Sequence, residues 1–299
     1  MEDQGRPLTG IVWMLATGLC FVAVTGLVRS LGQDLPAAEA AFLRFLAGSL
    51  LMAPAMLRAL TQGLPRATWR LIGARGALHV VAVVLWFHAM ARIPVAEVTA
   101  IGYLNPIVVT LGAALFLGER LQLRRSLAIL VALAGALVIL RPGFREVTEG
   151  HLAQIGAAVS FGLSYLLAKQ LSAQVGAGVM VALLSLVVTL GLLPFALAVW
   201  VPPTAGQVAR LCVVAVFATL GHYAMGRAFA AAPLTVTQPV TFLQLVWAAL
   251  LGWFAFGEAV DPLVLAGGAM IVGAITYMTW REAQIRRRAV TPAAEATKL

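Results

Sequence analysis

The sequence predicts an all-α polytopic membrane protein with ten transmembrane helices, arranged as two five-helix repeats of opposite orientation. Three observations predict this fold class. Hydrophobic residues make up 61% of the 299 residues and charged residues only 11%, whereas soluble domains have about 45–50% and about 25%. The apolar residues fall in long runs, and the pattern of the first half returns in the second. With a mean hydropathy of +0.94, most of the chain is suited to lipid as its solvent.

Ten apolar runs are long enough to be membrane-spanning helices. A helix that rises about 1.5 Å per residue needs about 20 residues to cross about 30 Å of hydrocarbon. The fifth run is shorter than the others, and the third contains two histidines, His79 and His88. The predicted spans are Leu8–Val28, Ala37–Leu57, Leu71–Ala91, Val98–Leu117, Leu127–Leu140, Leu152–Leu171, Val179–Val199, Val208–Ala230, Leu234–Phe256 and Leu263–Trp280.

The spans divide the chain into two repeats joined by a short loop. The first run follows Met-Glu-Asp-Gln-Gly-Arg, which is not a basic n-region, and no Ala-x-Ala site follows it, so it is expected to remain as a span. Cys20 and Cys212 lie inside distant apolar runs, which argues against a disulfide framework or a metal cluster. The predicted organisation is a cytoplasmic tail at 1–7, the first repeat at 8–141, a loop at 142–151, the second repeat at 152–281 and a basic cytoplasmic tail at 282–299.

The distribution of basic residues predicts where the termini lie. With the N-terminus inside, 15 of the 21 Lys and Arg residues fall on the cytoplasmic side, Arg75 among them, and 5 fall outside. Arg44 lies within span two near its outer end, from where its side chain can reach the headgroups. By the positive-inside rule both termini are cytoplasmic. The net charge of +9 therefore reflects topology and contact with lipid headgroups, and no nucleic-acid partner is expected.

Two segments 139 residues apart have a loop proline and a Gly-Glu pair at the same positions around an apolar span. Ala89–Pro94 lies over Ala228–Pro233, and one span later Gly118–Glu119 lies over Gly257–Glu258. Because each half has five spans, an odd number, the second half enters the membrane from the opposite side. Inverted repeats recur in secondary transporters, where one module packed in two ways gives outward-open and inward-open states. The repeat therefore predicts a transporter that works by alternating access.

Three stretches resemble a known family. Asn105–Arg120, Phe254–Glu258 and Phe42–Phe45 resemble EamA-type members of the drug/metabolite transporter superfamily, and the resemblance covers residues 8–281. Among these members the chain is most similar to the YddG-type amino-acid exporters of bacterial inner membranes. The resemblance implies a substrate cavity between spans 1, 3, 4, 6, 8 and 9. One departure is Leu245, which stands where the first half has Pro106, so the two halves are not expected to bend alike.

Polar and aromatic residues at mid-span are the candidates for substrate binding, because they are costly in lipid and mark functional sites. His79 and Trp86 are seven residues apart and share a face of span three. Asn105 in span four matches Gln244 in span nine, so the two amides are expected to form a polar centre across the predicted two-fold axis. The full candidate set is His79, Trp86, Tyr103, Asn105, Ser164, Tyr165, His222, Thr241 and Gln244.

Several candidates also have a structural interpretation. Serine and threonine in a membrane helix commonly bond a carbonyl one turn back. Asn105 could satisfy a carbonyl left free by Pro106, and Trp86 could belong to the interfacial aromatic belt, as is expected of Trp13. These alternatives stay open at the level of the sequence.

Acidic residues are informative through their positions, because all twelve fall in tails, loops or span ends. A buried acid that exchanges protons for organic cations is therefore not available. Only His79 or His222 could couple transport to protons, and downhill export is the simpler mechanism. No catalytic constellation, cofactor or metal site is expected.

An apolar cavity with aromatic walls, a few amides and no fixed acid suits an amphipathic small molecule. Amino acids with large or aromatic side chains fit that description, and their export across a bacterial inner membrane is the function predicted. A multidrug or organic-cation exporter is the alternative. Membrane lipids are the other expected partners, and the sequence leaves open whether the protein is a monomer or a dimer.

Overall fold

The computed structural model describes residues 7–61, 63–117, 123–144, 146–171, 174–231 and 234–290. Over these ranges the chain forms twelve α-helices and no β-strand. They are α1 (Pro7–Arg29), α2 (Ala37–Leu51), α3 (Ala53–Thr61), α4 (Arg66–Met90), α5 (Val95–Gly102), α6 (Asn105–Leu117), α7 (Leu123–Leu140), α8 (Glu149–Leu171), α9 (Ala177–Ala198), α10 (Ala205–Ala231), α11 (Leu234–Phe256) and α12 (Pro262–Val290).

Each predicted span coincides with a helix or with a pair of consecutive helices. Within the described residues, seven stretches are long and apolar enough to cross a membrane, and eight if the bent pair α2 and α3 counts as one. The apolar parts of α7 and α11, Ser126–Leu140 and Leu243–Phe256, are shorter than a usual span. The all-helical membrane fold is confirmed, whereas the ten-span, two-repeat layout and the cytoplasmic termini stay predictions.

Two of the predicted spans are interrupted beside a proline. The axis turns by 72° between α2 and α3, just before Pro54. Span four breaks at Tyr103 and Leu104, between α5 and α6, and Pro106 follows at the start of α6. Proline lacks the amide that would continue the helical ladder, which accounts for a break at this place. The equivalent helix of the second half, α11, is continuous, so the two halves differ in the way that Leu245 led us to expect.

The helices of the two halves pack against each other in matching pairs. The most extensive interfaces join α1 to α10 and α4 to α8, and further ones join α1 to α11 and α6 to α8. The helix α8 is the predicted counterpart of α1, and α4 and α6 correspond in the same way to α10 and to part of α11. Each interface of α1 with the second half is therefore matched by an interface of α8 with the first half. Two further interfaces, α2 with α9 and α7 with α12, pair equivalent helices directly. The centre of the bundle is therefore enclosed by helices from both halves.

A close glycine contact joins α7 to α12. A Cβ atom placed on Gly135 would lie 2.6 Å from the Gly267 carbonyl oxygen, and one placed on Gly267 would lie 2.5 Å from the Gly135 carbonyl oxygen. Only glycine lets two backbones approach this closely, as is common where membrane helices cross. Ala132 and Ala136 of α7 are buried beside this contact, whereas Gly273 of α12 faces outward with open space around it.

One end of the bundle is held by a charged cluster that reaches four helices. Arg29, at the end of α1, donates to the Met90 carbonyl at 2.8 Å and pairs with the Glu258 carboxylate at 2.8 Å. The contact with Glu258 is close, but it is not aligned as a hydrogen bond. The other carboxylate oxygen accepts the Val95 amide at the start of α5, at 2.9 Å. Gly257, with φ of 63°, makes the turn that brings Glu258 back toward the bundle.

The equivalent of Glu258 in the first half, Glu119, lies outside the described residues, as does Gly118. The repeated Gly-Glu pair of the sequence therefore has a structural explanation in the second half alone. There the glycine turns the chain, and the glutamate ties α11 to α1 and α5.

A second ion pair joins the end of α7 to the start of α12. Arg141, which has a φ of 46°, follows the last residue of α7, and its guanidinium pairs with the Asp261 carboxylate. Asp261 also caps α12, because its side chain accepts the Leu263 amide at 2.9 Å, and Pro262 occupies the first helical position. Partial burial acts to raise the pKa of Asp261, but the Leu263 amide and the Arg141 guanidinium outweigh it and hold the pKa below its ordinary value.

The C-terminal end of α12 lies beyond the predicted span. The helix continues to Val290 because Glu282–Val290 is rich in good helix formers, Arg, Glu, Gln and Ala. The first part of the predicted basic tail is thus helical, and residues 291–299 lie outside the described ranges.

Gly135→Ala tests the close approach of α7 and α12. The added methyl would meet the Gly267 carbonyl, so the helices must separate, and the variant should be less stable by about 1–3 kcal/mol, the usual cost of overpacking. Gly273→Ala is the matched control, because nothing lies within 4 Å of a Cβ there. Thermal unfolding of the purified protein in detergent measures both. Equal melting temperatures for the two variants would contradict the contact.

Asp261→Asn tests the pair between α7 and α12. Asparagine keeps the helix cap and removes the charge, so the variant should melt at a lower temperature at pH 7. Because the pKa of Asp261 is depressed in the folded protein, its contribution is complete above the ordinary carboxyl pKa of about 4 and is lost as the pH falls below it. The difference between variant and wild type should therefore shrink on acidification. Asp34→Asn, at an exposed turn, should melt like the wild type at every pH.

Candidate functional site

His79 lies at the centre of a cluster of rings contributed by three helices. It is the fourteenth residue of the 25-residue helix α4, and it is buried. Phe45 of α2 and Phe161 of α8 both meet the imidazole edge to face, with ring centroids 5.8 and 5.0 Å away. Tyr165 stacks on Phe161 at 6.1 Å, with an angle of 14° between the ring planes. The two halves thus jointly build an aromatic wall at mid-helix depth.

Ser164 connects this wall to the backbone of α4. Its hydroxyl lies 3.2 Å from His79 Nδ1 and donates to the Arg75 carbonyl at 3.4 Å. Because the hydroxyl proton is directed at the carbonyl, we assign the imidazole proton to Nδ1, which leaves Nε2 as an acceptor. The serine is buried, and both of its contacts cross from α8 to α4. Two predicted site residues, His79 and Ser164, are therefore in direct contact.

Two arginines border the same cluster. Arg75 precedes His79 by one helical turn and has only 6% of its surface exposed. The Arg44 guanidinium lies over the Phe45 ring, 4.0 Å from its centroid. Both charges act on the imidazole of His79 and on the phenol of Tyr165. Both side chains thus lie beside the ring cluster, whereas the membrane side predicted for each, cytoplasmic for Arg75 and outer for Arg44, stays a prediction.

Tyr165 indicates that the cluster borders an open space. Its side chain is 41% exposed, although the charges of Arg44 and Arg75 act on it from inside the bundle. Neighbouring Ser164, on the same helix, is buried. We interpret the exposed part of Tyr165 as the side of the ring cluster that a small molecule could reach.

The helices α1 and α10 supply the opposite side. His222 donates from Nδ1 to the Ala218 carbonyl at 2.6 Å and meets Phe21 of α1 edge to face, with centroids 5.2 Å apart. His222 also lies close enough to His79 for the two imidazoles to interact electrostatically. The position of His222 among these groups brings a third predicted residue to the centre.

Closer to the N-terminal end of α1, an exposed group of aromatic and basic side chains joins the same two helices. Trp13 meets Tyr223 edge to face at 6.1 Å, and Arg227 donates to the Tyr223 hydroxyl at 3.0 Å while lying over the Trp13 ring. Trp13 is expected to be an interfacial belt residue, which stays a prediction. The structure adds an interhelical contact with Tyr223, the residue after His222.

The two amides lie against different helices. The main chain of Asn105 packs on Gly162 of α8, whereas Gln244 packs beside Gly18 of α1. The Asn105 side-chain oxygen is buried without a hydrogen-bond partner. Among the described residues there is no hydrogen bond that joins Asn105 to Gln244. Each amide therefore sits next to the first helix of the opposite half, and the polar centre that they were expected to share stays a prediction.

The remaining predicted residues are spread around the cluster. Tyr103, in the break of span four, is adjacent to the main chain of Leu245 in α11. Trp86 lies two turns beyond His79 on α4 and packs edge to face on Phe87 at 5.3 Å, without a contact to the imidazole. Thr241 lies in α11, and its side chain is outside the described part of the structure.

Sequence reasoning missed three of the groups that surround His79. The phenylalanines Phe45 and Phe161 were not singled out, because nothing in the sequence distinguishes a ring that faces a cavity from one that faces the core. Arg75 could have been found. It lies inside the predicted third span, four residues before His79 and hence on the same helix face.

The arrangement can bind a flat, partly polar molecule. Aromatic faces provide apolar contact, two imidazole Nε2 atoms can accept hydrogen bonds, and the guanidinium groups can donate them. Within the described ranges, no three His, Cys, Asp or Glu side chains come together as a metal site. A site of this kind, enclosed by two helical halves of a membrane bundle, defines a small-molecule transporter.

Comparison with known proteins identifies the family. A model of the EamA-like transporter family matches residues 8–141 and again residues 148–280. The chain belongs to this family.

Relatives of known name carry several kinds of small molecule. The riboflavin transporter of Vibrio cholerae is 29% identical over 298 residues, which cover 96% of this chain and 98% of the relative. The pseudopaline exporter CntI of Pseudomonas aeruginosa is 32% identical over 275 residues, covering 88% and 93%. The S-adenosylmethionine uptake transporter of Rickettsia felis is 26% identical over 281 residues, covering 94% and 96%.

A solved crystal structure shares the fold. It superimposes with a TM-score of 0.56 over 96% of this chain and 98% of its own, at 18% sequence identity. The resemblance to transporters in the membrane is therefore confirmed at the level of the family. The names of these relatives do not support the narrower similarity to amino-acid exporters. They include proteins named for the uptake and for the export of other metabolites.

Phe161→Ala tests the aromatic wall. Loss of the ring that touches both His79 and Tyr165 should weaken substrate affinity by about tenfold, equivalent to ~1.4 kcal/mol. The half-saturation concentration for uptake into liposomes measures this effect. Phe254→Ala, at a position 89% exposed on α11, is the matched control and should transport normally. Normal half-saturation in both variants would place the binding site elsewhere.

Proposed function

We propose that this protein carries amphipathic metabolites with a planar ring across the bacterial inner membrane by alternating access. The observation that carries the proposal is the ring cluster of Phe45, His79, Phe161 and Tyr165 at mid-helix depth. Such a wall holds a flat apolar group, and the partly exposed Tyr165 gives access to it.

Amino acids with large or aromatic side chains are one class of such metabolites. Their side chain would lie on the aromatic wall, and their ammonium group would donate to an imidazole Nε2. The riboflavin transporter among the relatives supports a ring-bearing substrate, because riboflavin is itself a planar ring system. The other relatives' names widen the range beyond amino acids.

The packing of the helices supports alternating access. The central interfaces pair α1 with α10 and α4 with α8, each of which joins one half to the other, so tilting the halves would open one end while closing the other. The cluster of Arg29 and Glu258 holds one end together, and with the predicted topology this is the outer end. In an outward-open state these contacts would have to separate.

We propose outward transport down the concentration gradient. None of the carboxylates with described side chains is seen in contact with the central cluster, which leaves His79 and His222 as the titratable groups there that could couple transport to protons, and downhill transport needs neither. A carrier without coupling moves its substrate downhill, and for metabolites made in the cytoplasm that direction is outward. The lack of a carboxylate among the described side chains at the central cluster argues against a multidrug or organic-cation exporter. The two central arginines argue against it as well, because they repel cations.

Counterflow in liposomes tests the proposal. Liposomes that contain only the purified full-length protein are loaded with unlabelled solute and diluted into labelled solute, with tryptophan, riboflavin and tetraphenylphosphonium in separate arms. Accumulation of tryptophan or riboflavin above that of empty liposomes is the expected result. Accumulation of the lipophilic cation alone would support the organic-cation exporter, and no accumulation in any arm would refute transport of ring-bearing metabolites.

Asn105→Ala and Gln244→Ala test whether the two amides contribute to the path. Each should reduce the counterflow rate several-fold while leaving the amount of inserted protein unchanged, because each amide lies next to the first helix of the opposite half. Gln33→Ala, at an exposed turn, is the control and should behave like the wild type. Wild-type rates in both amide variants would show that these side chains are only structural.

A further inference from the structure

Two guanidinium groups at the central cluster lack an acidic partner. Arg75 is almost fully buried, and its Nε atom has no hydrogen-bond partner. Arg44 rests on the Phe45 ring. Within the described part of the chain, neither of them forms an ion pair. Charged side chains inside a membrane protein normally pair with each other or with a substrate, so this arrangement calls for an explanation.

The buried carboxylates with described side chains are all engaged at helix ends. Glu39 accepts the Val201 amide at 2.9 Å, and Glu97 accepts from the His151 imidazole at 2.8 Å. Glu258 belongs to the cluster with Arg29. None of these acids forms an ion pair with Arg44 or Arg75 in the described part of the chain, although Glu39 precedes Arg44 by only five residues on α2.

Both cations lie near His79. Arg44 rests on Phe45, whose ring meets the imidazole edge to face, and Arg75 precedes His79 by one turn of α4. Like charges in a medium of low dielectric constant destabilise each other strongly. An anion placed between them would reverse this energy. The 41% of Tyr165 that is exposed is where such an anion could approach the cluster.

We infer that Arg44 and Arg75 bind a carboxylate of the substrate, while the substrate's ring lies on Phe161 and Tyr165. The inference rests on the proposed function, because it assigns a second group of the same ring-bearing molecule. Guanidinium groups present paired donors that match a carboxylate, and the charge-assisted hydrogen bonds would satisfy the free Nε of Arg75. The substrate class is therefore a ring-bearing carboxylic acid, either a simple acid or an amino acid.

Binding of three matched probes to the purified full-length protein in detergent tests the inference. The probes are 3-phenylpropionate, its neutral amide 3-phenylpropanamide, and phenyl phosphate, with dissociation constants measured by titration calorimetry. The acid should bind about tenfold more tightly than the amide, as expected for charge-assisted hydrogen bonds. Arg44→Gln and Arg75→Gln should each remove this preference, because they weaken binding of the acid more than binding of the amide. Arg70→Gln, exposed on the same helix as Arg75, should keep it.

Lysine variants cover the case in which a glutamine variant does not fold. Arg44→Lys and Arg75→Lys keep the charge and lose the paired donors, so they should bind the acid more weakly than the wild type and still prefer it to the amide. Folding of each variant is checked by size-exclusion chromatography.

Other outcomes overturn the inference. Equal binding of acid and amide, binding of neither at millimolar concentration, or an acid preference that survives both glutamine substitutions would each refute a carboxylate subsite. Tighter binding of phenyl phosphate than of the acid would reassign the pair to a phosphate. Counterflow separates this result from the proposed function. Flux of riboflavin without an acid preference retains the proposed function and rejects the subsite, whereas an arginine-dependent acid preference without any flux does the reverse.

Discussion

Lipid offers no hydrogen-bond partner, so every polar group within this bundle has to be satisfied by the protein or face an internal space. The positions of the acids follow this constraint. Glu39, Glu97 and Glu258 are all buried or nearly so, yet each lies at the end of a helix, where a main-chain amide or a basic side chain is available. The interior between the helix ends is left with guanidinium, imidazole, hydroxyl and amide groups. These four kinds of polar group determine which molecules the centre of the bundle can bind.

The same constraint makes the helices depend on one another at close range. Where no hydrophobic force drives association, backbones have to approach closely, and glycine is placed at the points of approach. Gly135 and Gly267 bring α7 onto α12, and Gly162 brings α8 onto the main chain of Asn105, just after the break between α5 and α6. The second contact matters for the site, since α8 also carries Phe161, Ser164 and Tyr165. The glycine contact and the ring cluster are thus two consequences of one helix packing.

Much of the fold could be predicted from the sequence, because the length of an apolar run and the position of a proline determine the local helical structure. All ten predicted spans are helical, and the break before Pro106 occurs where a missing amide would put it. The directions of side chains depend on packing between helices, which no local pattern contains. Arg44 and Arg75 are predicted to lie toward opposite membrane surfaces, yet Arg44 rests on the Phe45 ring that meets His79, and Arg75 is buried one turn before His79. Asn105 and Gln244 align in the repeat, but equivalence in sequence means equivalent surroundings, so each lies against the other half's first helix and not against its counterpart.

The inverted repeat predicted from the sequence also accounts for the difference between the two sides of the centre. At the offset that aligns the halves, Arg75 corresponds to Val214 and His79 to Ala218, and both of these counterparts are buried apolar residues of α10. One wall therefore carries charge and hydrogen-bonding groups at the depth where the opposite wall carries small apolar side chains. Alternation between two states needs the halves to pack alike, but recognition of an amphipathic molecule needs them to differ. The backbone repeat can meet the first requirement while these substitutions on α4 and α10 meet the second, so selectivity is expected to change with side chains at these positions and not with the architecture.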